Sequence, residues 1–237
     1  MRRDRLLIYL VLFIFSGQCH AKNILYSSVS PEFPAGLHLK YLQHIAQKMD
    51  MELDIVPMPF ARRVVALQSG LIDLMVGMQR EDSRDDDIIY IYPAYEKLRH
   101  SFFVLASNQD KLRSFEDLLQ LNIGVTIHAK YYQHFQQQPG LSLAAVSTLK
   151  QKIELLRKER IDTFIHYQES TEPLLRRMHL DSEIVIAPYQ PTEYNEYYIT
   201  ISKNSRLLPY REKLEKLVKT AVENGDLRQI REQHYQL

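Results

Sequence analysis

Apolar residues along the chain recur first at helical spacing and then in short strand-like runs, and the alternation repeats for most of its length. Ile24 to Ser28 predicts a first strand, closed by the turn Ser30-Pro31-Glu32-Phe33-Pro34. Leu42, Ile45, Ala46 and Met49 then share one helix face, and Leu53 to Val56 is a second strand. Phe60, Val64 and Leu67 mark the next helix, which Gly70 ends, and Leu71 to Val76 is an apolar run of the kind buried in parallel sheets. Phe102 to Leu105 gives a further strand.

After Asn108 the pattern starts again. Ser114 and Asp117 are spaced as a capping box for a short helix through Leu119. Strands are expected at Asn122 to Thr126, Leu141 to Val146, Ile161 to Ile165 and Glu183 to Ala187. Between them come a helix start over 129–135, a helix marked by Leu149, Ile153 and Leu156, and one reaching about Met178. Tyr197 to Ser202 is the last strand, and Tyr210, Leu214, Leu217, Val218 and Ala221 line a helix that Asn224-Gly225 stops. Asp226 caps a final helix carrying Leu227 and Ile230. Strands alternating with helices predict an α/β fold with mostly parallel sheet flanked by helices.

The two rounds share a register. An offset of 89 residues carries Phe60, Val64 and Leu67 onto Leu149, Ile153 and Leu156, and Ile72-Asp73 onto Ile161-Asp162. Two helix–turn–strand units at one offset predict two similar lobes with a ligand cleft between them. If the C-terminal elements return to the first lobe, the chain crosses twice, near residues 96–106 and 190–200, and a double crossover makes a hinge. The expected lobes are 22–100 with 195–237, and 101–194.

The first 21 residues read as an address. Arg2, Arg3 and Arg5 precede the apolar run Leu6 to Phe15, and a cleavage site follows Cys19-His20-Ala21. That run is short of the roughly 20 residues that span a bilayer. An uncleaved anchor, a buried strand or a lipid-modified Cys19 are the competing readings; Gln18 and Ser16 fit a lipoprotein signal poorly. Periplasmic export by a cleavable signal peptide is the expectation. Cleavage leaves 216 residues, removes the only cysteine and shifts the formal charge from +1 to about −1, because three arginines and one aspartate depart. A near-neutral chain without a basic stripe argues against nucleic acid as a partner.

Arg84 lies in the loop after the Leu71 to Val76 strand, where open α/β sheets bind ligands. It either faces a ligand or pairs with Asp82 or Asp85–Asp87. No cofactor is expected, and no metal: the histidines lack helical i, i+4 spacing and have no thiolate beside them. Glu32 and Glu169 are conceivable proton donors, yet no nucleophile–base pair or phosphate loop accompanies them.

The elements PFARRVVALQSGLIDLMVGM, the arginine of EDSR, the following PAY, SFEDLLQLNIGV, RIDTFIHY and ITISKNS with VENGDLRQI resemble, in this order, an extracytoplasmic solute-binding protein of family 3. That resemblance implies the two-lobed type II periplasmic binding-protein fold and a monomer. It implies capture of a small, amino-acid-like, carboxylate-bearing solute by hinge closure, and delivery to an inner-membrane permease. A soluble receptor for a membrane sensor and a periplasmic dehydratase are the alternatives. By position, the resemblance implies that Arg84 grips a ligand carboxylate beyond the strand end at Met78. It places aromatic walls at Phe33, Phe60 and Tyr95, and an arginine at Arg62. Phe60 also fits the buried stripe of its own helix. In the second lobe, His128 stands where the family often has glycine, and the helix from Ala129 is expected to offer backbone N–H groups. Tyr167 replaces the aspartate that holds a ligand ammonium, so an unmodified amino acid fits this lobe poorly; Glu169 is a weak substitute. His128, His166, Tyr131, Tyr132 and Tyr167 are expected to converge on the rim.

Overall fold

The computed structural model describes residues 23–235, so the expected signal peptide and Cys19 lie outside the described residues. Among the described residues nine strands and seven α-helices alternate. They are β1 (Ile24–Ser27), α1 (Leu37–Met49), β2 (Glu52–Ile55), α2 (Phe60–Gln68), β3 (Leu74–Met78), β4 (Ile88–Leu105) and β5 (Asn122–Thr126). There follow α3 (Gln133–Gln137), β6 (Ser142–Val146), α4 (Leu149–Arg157), β7 (Thr163–Tyr167), α5 (Gln168–Arg177), β8 (Ile184–Ile186), β9 (Tyr194–Ser202), α6 (Arg211–Glu223) and α7 (Asp226–Tyr235).

The strands run in the order β2-β1-β3-β9-β4-β7-β5-β6, with β8 on β4. In each half a parallel trio, β2-β1-β3 or β7-β5-β6, carries the ladder, and β4, β8 and β9 add antiparallel neighbours. The first half is packed on both faces, by α1, α6 and α7 around Leu25, Leu42 and Val218, and by α2 around Leu67 and Met75. The second half has matching layers around Phe102 and Ile123, and around Phe103, Ile153 and Phe164. Each fully buried side chain of this size contributes about 1.5–3 kcal/mol, which explains why sheets covered on both faces need near-continuous apolar strands.

The halves are joined by paired strands rather than loops. β4 runs for 18 residues. Its start, Ile88 to Ile91, pairs with β9 in the first sheet, Glu96 to Arg99 pair with Tyr197 to Tyr194, and His100 to Phe103 pair with β7 in the second sheet. Its register shifts between Ile91 and Glu96, where Pro93 has no N–H to donate to a ladder.

The 89-residue echo has a structural counterpart. The Asp73 carboxylate accepts the N–H of Tyr26 on β1 at 3.0 Å, and the Asp162 carboxylate accepts the N–H of Asn122 on β5 at 2.8 Å. Each aspartate also donates its own N–H to the carbonyl of the same partner. Isoleucine–aspartate before β3 and β7 is therefore a strand-entry clamp. It delays both strands, which begin at Leu74 and Thr163 rather than at Leu71 and Ile161.

Two helix expectations need correction. No helix starts at Ala129: its N–H is taken by the Thr126 carbonyl at 3.1 Å in a turn, and α3 begins only at Gln133. At Ser114, the Asp117 carboxylate takes the N–H of Arg113 and of Ser114, but no serine side chain caps in return, and the segment Glu116–Gln120 is 3-10. A complete capping box stands instead at Thr148 and Gln151, before α4.

Candidate functional site

Residues just beyond the C-terminal ends of β1, β3 and β5, and Tyr167 at the end of β7, meet across the line between the halves. Three side chains of the first half reach backbone of the second at this line. Gln79, one residue beyond β3, donates to the Lys130 carbonyl at 2.9 Å and to the Tyr197 hydroxyl at 2.6 Å. Arg84 donates to the His128 carbonyl at 2.9 Å. Glu32, in the turn after β1, accepts the N–H groups of Leu149 at 2.8 Å and Lys150 at 2.7 Å. Those are two of the N–H groups that a helix start leaves without an intrahelical partner; the Thr148 side chain takes the Gln151 N–H. Glu32 thus completes the cap of α4 from the opposite half.

Aromatic groups cross the line in both directions. Phe33 of the first half packs on the second half's apolar layer, with the Arg177 guanidinium 5.9 Å from its ring centre. Tyr167 of the second half packs against the first half's core, and its hydroxyl bonds to that of Tyr197. His100 stacks on Tyr167 at 4.6 Å and meets Tyr131 at 5.0 Å. Burial, and then the nearby Lys152, lower the His100 imidazole to about 3, so it is neutral at physiological pH. Lys152 is wholly buried, donates to the Ile165 carbonyl at 2.9 Å and lies 3.3 Å from His166 Nδ1. Burial lowers it to about 7, partly offset by the Glu32 carboxylate.

Arg84 is buried at the end of the 3-10 turn Asp82–Arg84, its guanidinium on Met78 Sδ at 3.2 Å and on the Glu81 carboxylate at 2.8 Å. Its acidic partner is Glu81. Asp82 and Asp85, two of the expected partners, pair with Arg80 instead. Met78 is fully buried, with its sulfur on that guanidinium. Tyr95 is buried edge-on to Tyr41 at 5.2 Å, and burial raises its phenol. Phe60 is half-buried at the start of α2, where it packs on the core, as its place on the helix stripe predicts, and carries the Arg63 guanidinium 5.4 Å from its ring centre.

Three expected placements change. Arg62 is exposed, whereas its neighbour Arg63 is only 5% exposed. Helical spacing from Phe60 puts residue 63, with 64 and 67, on the inward stripe, and residue 62 outside it. His128 takes the expected glycine position with φ +60°, but its side chain is exposed and only its carbonyl meets Arg84. Of the rim aromatics, Tyr131, His166 and Tyr167 come together around His100; Tyr132 turns into the second core beside Tyr189. Glu169 pairs with Arg231 of α7, which also holds Glu96. Sequence reading passed over Arg63, His38, Gln79, His100 and Lys152. The signal for Arg63 and Lys152 was a charged residue on each apolar stripe, and 63 and 152 differ by the same 89 positions. Among the described residues no group of His, Cys, Asp or Glu is arranged to hold a metal ion, and no helix is long and apolar enough to cross a membrane.

Residues 23–236 match the family described as bacterial extracellular solute-binding proteins, family 3. Among solved structures, the chain is similar to an amino acid ABC transporter substrate-binding protein from Streptococcus pneumoniae Canada MDR_19A bound to L-arginine. They share 19% identity over 90% of this chain and 95% of that one, with a TM-score of 0.76. An ancestral arginine-binding protein bound to arginine aligns at 21% identity over 91% and 99%, with a TM-score of 0.77. An ancestral amino-acid-binding protein, a precursor of cyclohexadienyl dehydratase, aligns at 16% over 90% and 96%, with a TM-score of 0.73. Among curated proteins none matches the chain. At these identities the likeness establishes the fold, which is that of type II periplasmic binding proteins.

Proposed function

Since this chain belongs to the bacterial extracellular solute-binding proteins of family 3, we propose that it captures a small carboxylate-bearing solute between two lobes, 22–100 with 195–237 and 101–194, and hands it to an inner-membrane permease. The observation that carries the reading is the meeting of Gln79 and Arg84 with the carbonyls of Lys130 and His128 across the cleft. Such contacts exist only when the lobes are together, so a solute touching both walls favours that arrangement. The hinge is the pair β4 and β9 between Glu96 and Arg99, the paired strands that join the two halves. In this reading Arg84 presents the ligand carboxylate site, and Phe33, Phe60, Met78, Tyr95 and Tyr167 form its walls.

The protein acts as a monomeric periplasmic binder, exported by its N-terminal segment and without catalytic activity. Glu32 and Glu169, the candidate proton donors for a dehydratase, are engaged by the α4 N–H groups and by Arg231. Two of the solved neighbours carry arginine, but here the acids beside the cleft are all bound to protein partners, which disfavours a cationic solute. A receptor that reports to a membrane sensor shares the same cleft. A thermal-shift screen of the processed chain against amino acids, small organic acids and short peptides tests the reading, because bound solute stabilises the native state. A carboxylate-bearing hit supports it; exclusive stabilisation by solutes lacking a carboxylate overturns it.

A further inference from the structure

We propose that Arg63, with His38 and Tyr95 beside it, is a second acid-recognising subsite in the first lobe, so that the solute is a small dicarboxylate. The inference rests on the solute-binding reading above and sharpens its ligand class. Arg63 lies in the first turn of α2 and is only 5% exposed, and no acceptor among the described residues reaches its Nε or Nη1. Its neighbours supply no negative charge. The Phe60 ring covers one face, His38 is pushed down to about 3 by burial and by Arg63 itself, and the Tyr95 phenol is held protonated. The Tyr95 hydroxyl is itself buried without a hydrogen bond of good geometry, although it lies beside the Gly77 amide. Burial lowers the Arg63 guanidinium only to about 10, so it stays cationic at neutral pH. The start of a helix, with its partial positive charge, adds to the unbalanced potential.

Both groups stand at the edge where ligands enter such sheets. The His38 ring, in the first turn of α1, lies so close to Gly77 in β3 that an added Cβ would come within 2.5 Å of Cε1. Tyr95 senses Tyr167 of the opposite lobe. The equivalent cation of the second lobe, Lys152, makes the contrast: it bonds a carbonyl and a histidine and has Glu32 nearby. Arg84 has one acidic neighbour, Glu81 on Nη2, so it offers a ligand carboxylate less unmatched charge than Arg63 does. Among the described residues Arg63 is a buried cation without an acidic partner, and an uncompensated buried charge is strongly unfavourable. A carboxylate taken up there gains charge-assisted hydrogen bonds from Arg63 and a phenol donor from Tyr95. With one carboxylate at Arg84 and one at Arg63, and the described acids Glu32, Glu81, Glu96 and Glu169 all engaged by protein partners, the recognised class is a short diacid.

The test is isothermal calorimetry of the processed chain with malonate, succinate and glutarate, each beside its monoamide, which keeps the size and removes one charge. The expected result is at least tenfold tighter binding of one diacid than of its monoamide, with that ratio lost in Arg63→Gln and kept in Arg113→Gln, an exposed charge control. The unliganded Arg63→Gln protein is expected to melt no lower than the wild type, because an unmatched buried charge has gone. A melting point several degrees lower marks Arg63 as structural and overturns the proposal. So does an unchanged diacid ratio in Arg63→Gln when Arg84→Gln loses binding, an outcome that leaves the solute-binding reading intact. Tighter binding of an amino acid or of inorganic phosphate overturns the diacid class. Failure of every small solute overturns the binding reading itself.

Discussion

Glu32 offers the sharpest handle on closure, because its two hydrogen bonds join the lobes and exist in only one arrangement of them. Replacing Glu32 with alanine removes the acceptor for the N–H groups of Leu149 and Lys150 and a negative charge from the start of α4. The Thr148–Gln151 capping box survives, so the helix itself remains formed. Losing a capping acceptor costs about 1 kcal/mol, and losing a carboxylate from a helix start about 0.3–1 kcal/mol. Both bonds lie near solvent, so the total is about 1.5–2 kcal/mol, assigned almost wholly to the closed form. A factor of ten corresponds to about 1.4 kcal/mol, so the closing equilibrium falls about 10- to 30-fold. Small-angle scattering of the unliganded protein should report a larger radius of gyration, and calorimetry a correspondingly weaker Kd for the best hit of the solute screen. Glu32→Gln, which keeps one acceptor oxygen, should fall between. Unchanged scattering together with an unchanged Kd would refute the latch, since it would mean that the α4 N–H groups are equally well served in the open form.

Three further outcomes follow from buried groups. His100 is lowered from 6.5 to about 3, so the folded state binds fewer protons than the unfolded one; stability is full above pH 6.5 and is lost on acidification, by about 2 kcal/mol at pH 5. His100→Phe should flatten the urea-unfolding profile between pH 6.5 and 5, and a profile as steep as the wild type would contradict this. Lys152 is lowered from 10.5 to about 7, so stability should climb as pH rises from 7 to 9, by up to about 2–3 kcal/mol, and Lys152→Met should lose the climb. Gly77→Ala, at φ +86° and against His38, should cost about 2–3 kcal/mol in chemical denaturation. Adding His38→Ala should recover the steric part and leave about 1 kcal/mol of backbone strain.

Much of the architecture was legible in the chain. The periodicities of Phe60, Val64 and Leu67 and of Leu149, Ile153 and Leu156 identify α2 and α4, because an amphipathic helix must turn one stripe inward wherever it sits. The repeated Ile-Asp pair marked equivalent strand entries, since an aspartate at that place has a local task, holding the neighbouring strand's N–H. Local rules failed where a partner was distant. Nothing near Glu32 says that it caps a helix 117 residues away, and nothing near Ala129 says that Thr126 will claim its N–H.

The cleft divides in the same way. By itself the sequence determined an α/β alternation, two rounds of helix–turn–strand and an arginine beyond a strand end, because these follow from periodicity and spacing along one chain. Only the tertiary structure decided which arginine is inside and unmatched. Arg62 and Arg63 are adjacent and chemically identical, and a turn of about 100° per residue around the helix axis separates solvent from the interior. Whether a buried charge is balanced depends on what other elements bring to it. Among the described residues folding brings Glu81 to Arg84, and a carbonyl and a histidine to Lys152, but to Arg63 an aromatic face, a neutral imidazole and a phenol.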